Sequence, residues 1–144
     1  MAVSFYKCRT CGNIICKIID SGVTPSCCGK PMQPLTPGST DGDVEKHVPV
    51  YETKDGLLYV KVGSSPHPMT SDHHIEFIAI ETSLGIQLKY IGRDMNVDNC
   101  GECCDVPCPI NTKAEACFKL LEGEKLIAIY EYCNLHGVFM CSCI

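Results

Sequence analysis

The sequence predicts an all-β protein in which a small four-cysteine metal module precedes a β-sandwich. Three observations carry this. Short alternating or β-branched runs recur along the chain with turn residues between them, the pattern of several short strands. Asp55-Gly56 separates two such runs, and Asp-Gly between alternating segments is a strong hairpin signal. Two cysteine pairs near the N-terminus, Cys8 with Cys11 and Cys27 with Cys28, bring together the four thiols that a tetrahedral metal site needs.

Residues 1–36 make the first unit, 37–43 a linker and 44–144 the second unit. In the first, Cys8-x-x-Cys11 places two sulfurs on one turn, and Gly12 lets backbone N–H groups approach them. Cys27 and Cys28 are adjacent, so their side chains diverge and the four sulfurs should hold a metal in a distorted tetrahedron. Sulfur ligation of this kind serves iron and zinc alike, so the residues leave both metals open. So short a segment has little core of its own, and loss of any one sulfur should unfold it. Residues 14–19, Ile-Ile-Cys-Lys-Ile-Ile, read as a strand with Cys16 as a small buried hydrophobe. Residues 34–43 hold Pro37-Gly38-Ser39 and Asp41-Gly42-Asp43, a polar, turn-rich connection.

The second unit opens with the runs 48–50 and 57–62 on either side of Thr53-Lys54-Asp55-Gly56. Residues 75–80 and 85–90 form a second alternating pair joined by Thr82-Ser83-Leu84, and 125–132 is a further β-rich run. Short strands separated by turns argue for a sandwich. Residues 112–121 are ambiguous, because Ala114, Cys117, Phe118 and Leu121 also fall at helical spacing.

Composition narrows the function. A formal charge of -5, a pI near 5.4 and the lack of any basic run argue against non-specific nucleic-acid binding. No basic-then-apolar leader opens the sequence and no apolar run approaches bilayer length, so the expectation is a soluble, cytoplasmic chain without a membrane partner. Thirteen cysteines could staple a secreted domain. The odd count and the metal-like spacing instead favour thiolates on metals in a reducing compartment.

The most informative stretch is Cys133-Asn134-Leu135-His136-Gly137. A thiolate and an imidazole three residues apart on a tight turn can face one metal ion. His47, His67 and His73 lie upstream in compact contexts, so that with Cys133 and His136 the chain offers one soft sulfur and four borderline nitrogens. That set suits a redox-active first-row metal better than magnesium or calcium, which take oxygen ligands. A mononuclear iron site is the expectation. His74, beside His73, is expected to be an ordinary core or surface residue.

These motifs carry a resemblance. Glu45-Lys46-His47, His67-Pro68-Met69, His73-His74-Ile75-Glu76-Phe77-Ile78 and Cys133-Asn134-Leu135-His136-Gly137 resemble the active site of superoxide reductases. Phe5-Tyr6-Lys7-Cys8-Arg9-Thr10-Cys11-Gly12-Asn13 and Cys27-Cys28-Gly29-Lys30-Pro31-Met32 resemble the second metal site of the two-iron class, desulfoferrodoxin. The resemblance implies a desulforedoxin-like iron module and an immunoglobulin-like sandwich of seven strands, with a strand near residues 112–121. It implies two iron ions per chain, one on Cys8, Cys11, Cys27 and Cys28, the other on His47, His67, His73, His136 and Cys133. If the four histidines are roughly planar and Cys133 axial, the sixth position is open to superoxide, which would take one electron and two protons and leave as hydrogen peroxide. Lys46 is implied to reach over that open face and steer the anion, and Glu45 to ligate ferric iron after product leaves. A rubredoxin-like electron donor and a homodimer are implied as well.

Two rival readings follow from the same residues: an iron-binding electron-transfer protein without superoxide turnover, and a zinc module with a β-sandwich interaction domain. One region departs from the family pattern. Cys100, Cys103, Cys104 and Cys108, with the tail cysteines Cys141 and Cys143, have no counterpart in it, and Cys117 is a further cysteine without an assigned role. Cys100-x-x-Cys103 has ligand-like spacing, and a tolerated loop insertion explains it equally well.

Overall fold

The computed structural model describes residues 3–40, 42–92 and 113–143. The first unit is built on β1 (Ser4–Lys7), β2 (Ile14–Lys17) and β5 (Gln33–Pro34), in the order β2-β1-β5. Between β2 and β5 lies a two-residue ladder of β3 (Ser26–Cys27) and β4 (Lys30–Pro31). Its turn is Cys28-Gly29, both at positive φ (54° and 75°), the signature of the type I′ turns that close tight hairpins. The adjacency of Cys27 and Cys28 is explained by this turn: one thiol ends a strand and the other sits on the left-handed corner.

The strand expected over residues 14–19 stops at Lys17. Lys17 Nζ donates to Asp20 Oδ1 at 2.8 Å and to the Val23 carbonyl, which pulls the chain into a turn, and Ile18 and Ile19 are left 70% and 81% exposed. Cys16 is half-buried rather than buried. The turn-rich connection also starts later than residue 34, since Pro34 is still paired with Tyr6.

The second unit begins with α1 (Val44–His47), a single turn that no periodicity announced. Among the described residues seven strands follow: β6 (Pro49–Lys54), β7 (Leu57–Val62), β8 (Ile75–Thr82), β9 (Gly85–Tyr90), β10 (Glu115–Lys119), β11 (Leu126–Cys133) and β12 (Gly137–Ser142). They form a three-stranded sheet, β10-β7-β6, and a four-stranded sheet, β12-β11-β8-β9, with antiparallel neighbours throughout, in an immunoglobulin-like sandwich. The β6–β7 hairpin turns at Asp55 and Gly56, at φ 54° and 78°, as the Asp-Gly signal requires. The ambiguous stretch near residues 112–121 is strand β10, with Cys117 opposite Tyr59 on β7. Among the described residues no helix is long and apolar enough to cross a membrane.

Two apolar clusters organise the molecule. Leu58, Val60, Ile75, Ile78, Ile80, Phe118 and Ile129 fill the space between the two sheets. Each such side chain contributes about 1.5–3 kcal/mol by leaving water. Phe77, Ala79, Ala128, Tyr130 and Tyr132 point to the opposite face of the four-stranded sheet, where Phe5 of β1 covers them. This second cluster explains why β8 and β11 read as nearly continuous apolar runs: their sheet is covered on both faces. A bulge at Glu76, where Tyr132 pairs Phe77 but Cys133 pairs Ile75, returns Ile75 to the inner face beside Cys133.

Candidate metal centres

At one end of the sandwich three segments bring together the histidines and the cysteine: α1, the β7–β8 connection and the β11–β12 turn. Asp43 caps α1, its carboxylate accepting from Glu45 N at 3.0 Å, and its carbonyl accepts from His47 Nδ1 at 2.7 Å. The turn therefore aims His47 Nε2 inward, and Phe139 stacks on the ring at 4.7 Å. Gly63 lets the end of β7 pass against α1; a Cβ there would lie 2.8 Å from the Glu45 carbonyl oxygen and 2.5 Å from that of Ser65. His67 donates Nδ1–H to the Pro68 carbonyl at 2.7 Å, which also leaves Nε2 facing inward.

His73 ends a turn closed by Thr70 N donating to its carbonyl at 3.0 Å. That turn is braced by Asn134. Its side-chain oxygen accepts from His74 N at 2.9 Å, its side-chain nitrogen donates to the Asp72 carbonyl at 3.0 Å, and its backbone N donates to the His74 carbonyl at 3.1 Å. His74 itself is buried with Nδ1 on the Thr70 carbonyl at 2.8 Å and Nε2 at 3.5 Å from Glu76, outside the cluster.

The four rings of His47, His67, His73 and His136 stand at the corners of a square. Neighbouring centroids are 4.7, 4.6, 5.1 and 4.8 Å apart, and neighbouring planes meet at 78°, 78°, 68° and 80°. The His47–His73 diagonal is 6.2 Å. Ligand-capable atoms of His47, His67, His73 and Cys133 all lie within 4.8 Å of one another. His136 falls outside that limit and presents Nδ1, 3.7 Å from the Cys133 sulfur, as its place three residues along the same turn dictates.

The electrostatics fit a cation at the centre. Burial holds His67 down to about 4 and lowers His47 and His73, with the neighbouring imidazoles adding to the effect, so these rings are neutral. With both Nδ1–H groups committed to carbonyls, His47 and His67 face each other through Nε2 lone pairs only 3.2 Å apart. His73 Nε2 is buried with no partner at all. Burial pushes the Cys133 thiol up, against which the Leu135 and His136 N–H groups stabilise the thiolate. Asn134 N is turned to the His74 carbonyl instead. Sulfur with imidazole nitrogens is a donor set for a first-row transition metal.

Glu45 and Lys46 are both exposed on α1. The Lys46 charge adds weakly to the burial that disfavours protonation of His47 and His73. Beneath Cys133, on the same inward face of β11, Glu131 is fully buried with neither carboxylate oxygen partnered. Burial pushes its carboxyl well above the usual range, with the Phe139 N–H opposing that shift.

The second candidate centre lies in the first unit. Ligand atoms of Cys8, Cys11, Cys27 and Cys28 also lie within 4.8 Å of one another. Cys11 and Cys27 sulfurs are 3.6 Å apart, and the Cys27 and Cys28 sulfurs 3.9 Å. Gly12, at φ 85°, donates to the Cys8 carbonyl at 2.9 Å, and Cys11 N approaches the Cys8 sulfur at 3.5 Å. The Cys11 N–H lowers the Cys8 thiol to about 6, whereas crowding by the other sulfurs, Cys11 foremost, raises Cys28 to about 12. Four sulfurs so close lose their protons together only against a cation. Cys100, Cys103, Cys104 and Cys108 lie outside the described residues; Cys117, Cys141 and Cys143 are free thiols away from both centres.

Comparison with known proteins agrees with this geometry. Residues 39–142 match the family model described as desulfoferrodoxin. The chain is 38% identical to a desulfoferrodoxin of Syntrophotalea carbinolica, over 93% of this chain and 91% of that protein. It is 39% identical to a desulfoferrodoxin of Nitratidesulfovibrio vulgaris, over 92% and 90% respectively. Among solved structures, the superoxide reductase of Treponema pallidum superposes with a TM-score of 0.73 at 29% identity, covering 99% of this chain and 100% of that one.

Proposed function

The chain belongs to the desulfoferrodoxin family, and from that premise we propose that it is a superoxide reductase of the two-iron type. The observation that carries the proposal is the square of four imidazoles with a buried cysteine sulfur beside it. His47, His67, His73, His136 and Cys133 would hold one iron ion, and Cys8, Cys11, Cys27 and Cys28 a second, with zinc the alternative occupant of the four-cysteine site. An iron ion held there in the ferrous state would supply the single electron that superoxide needs, with two protons, to become hydrogen peroxide, and the Cys133 thiolate would add electron density to it.

The chain's own groups prepare that chemistry. The carbonyls of Asp43 and Pro68 fix the tautomers of His47 and His67, so both present unprotonated Nε2. Asn134 ties the turn bearing His73 to the turn bearing Cys133 and His136, which keeps three ligands in register. Lys46, exposed next to His47, draws a small anion towards the cluster in a protein whose net charge is -5. Glu45, on the same exposed turn, is the carboxylate we assign to the open face once product has gone. We assign residues 1–36, 37–43 and 44–144 as metal module, linker and catalytic domain, with a rubredoxin-like protein as donor, a homodimer as the assembly and the cytoplasm as the compartment.

The test is rapid mixing of reduced, iron-loaded protein with superoxide. The wild type should remove superoxide near the diffusional range of about 10⁸–10⁹ M⁻¹s⁻¹. Cys133→Ala should lose that reaction while keeping the visible spectrum of the four-cysteine site. Equal reactivity in the two proteins would end the proposal.

A further inference from the structure

We propose that Lys7 and Tyr132 form the link through which one electron passes between the two metal centres, an inference that rests on the two-iron reading above. Lys7 directly precedes Cys8, a sulfur of the first centre, and Tyr132 directly precedes Cys133, the sulfur of the second. Lys7 Nζ donates to the Tyr132 hydroxyl at 3.0 Å and lies 5.7 Å from the centre of its ring. The two thiolate ligands are thus joined by two short pieces of chain and a single hydrogen bond.

The link is built, not incidental. Phe5 and Lys7, two apart on β1, share one face. Phe5 packs at 5.5 Å against both Phe77 and Tyr130, and Phe77 stacks on Tyr132 at 5.6 Å and 14°. These contacts fix the register of β1 over β11 and hold Tyr132 at 3% exposure. Lys7 and Tyr132 also line a cavity of about 160 Å³ that Arg9 borders on one side and His136 on the other. Along the link one electron leaves the ferrous four-cysteine centre and arrives at the ferric histidine–cysteine centre. No bond forms or breaks, the phenol and ammonium keep their protons, and a small one-electron donor protein refills the first centre.

The experiment uses the full, iron-loaded chain, oxidised and then given a substoichiometric pulse of a viologen radical. The visible bands of the two ferric centres report where the electron is. In the wild type it should redistribute at a rate independent of protein concentration. Lys7→Met, which keeps the apolar stem, and Tyr132→Phe, which keeps the stacked ring, should each slow this about tenfold with the reduction potentials of both centres unchanged. Unaltered rates in both variants, a rate proportional to protein concentration, or slowing that merely follows shifted potentials would overturn the link. Peroxide formation by the pre-reduced variants separates this from the parent proposal. It persists if only the link fails, and it is lacking in the wild type if the protein is no superoxide reductase.

Discussion

The roles proposed for Lys46 and Asn134 at the histidine cluster differ, and substitutions separate them. Lys46 is exposed and its charge reaches His47 and His73, so Lys46→Ala should slow the encounter with superoxide about tenfold and flatten its ionic-strength dependence. Rates measured from low to high salt check this, and an unchanged salt slope removes the steering role. Asn134 bonds both the His74 N–H and the Asp72 carbonyl, so Asn134→Ala leaves two polar groups short of partners and should cost about 1–3 kcal/mol. Chemical denaturation reads that loss, and weakened iron retention at the histidine site should accompany it. The side chains that gather here were legible in the sequence because metal-ligand chemistry restricts the candidates to Cys and His in compact motifs. Asn134 lies inside one of those motifs, but nothing local shows that its side-chain amide reaches a turn sixty residues upstream.

At the scale of elements, the approach of β7 to α1 decides whether His47 is in place. Gly63→Ala puts a methyl within 2.8 Å of the Glu45 carbonyl oxygen, at a backbone φ of 83° that already disfavours a side chain. The atoms it meets are all backbone, so α1 must move. The expected outcome is loss of the histidine-site iron with the four-cysteine spectrum retained, measured by metal analysis and visible absorption. Gly56→Ala, at φ 78° in the β6–β7 turn, should cost only about 1–2 kcal/mol and spare both centres, because no crowding accompanies its strain. The hairpin was legible from Asp55-Gly56, whose turn chemistry is local. α1 was not, because four residues are too few for periodicity to register and only the Asp43 cap marks its start. The end of β2 was misjudged for a related reason: Ile18 and Ile19 look like strand, and only the Lys17–Asp20 contact reveals the turn.

The whole molecule depends on a second apolar cluster between the first unit and the sandwich. Sequence pattern made both units visible, but the doubly covered sheet was not foreseen, because a continuous apolar run shows that a strand is buried without showing by what. Phe5→Ala removes the ring that meets Phe77 and Tyr130 and should destabilise the protein by about 3–5 kcal/mol, read from thermal or chemical unfolding. Stripping metal from the four cysteines should loosen residues 3–36 while the sandwich, with its own core, stays folded, and amide exchange would locate the change.

Superoxide reduction at the histidine–cysteine centre is tested most directly by the peroxide yield. Iron-loaded protein is held reduced and anaerobic, superoxide is added, and the hydrogen peroxide formed is counted against the superoxide consumed. About one peroxide for each superoxide, with reductant consumed in step, is the expected result. About half that yield with no reductant consumed means dismutation, and no acceleration of superoxide loss means an electron carrier; either outcome contradicts the assignment.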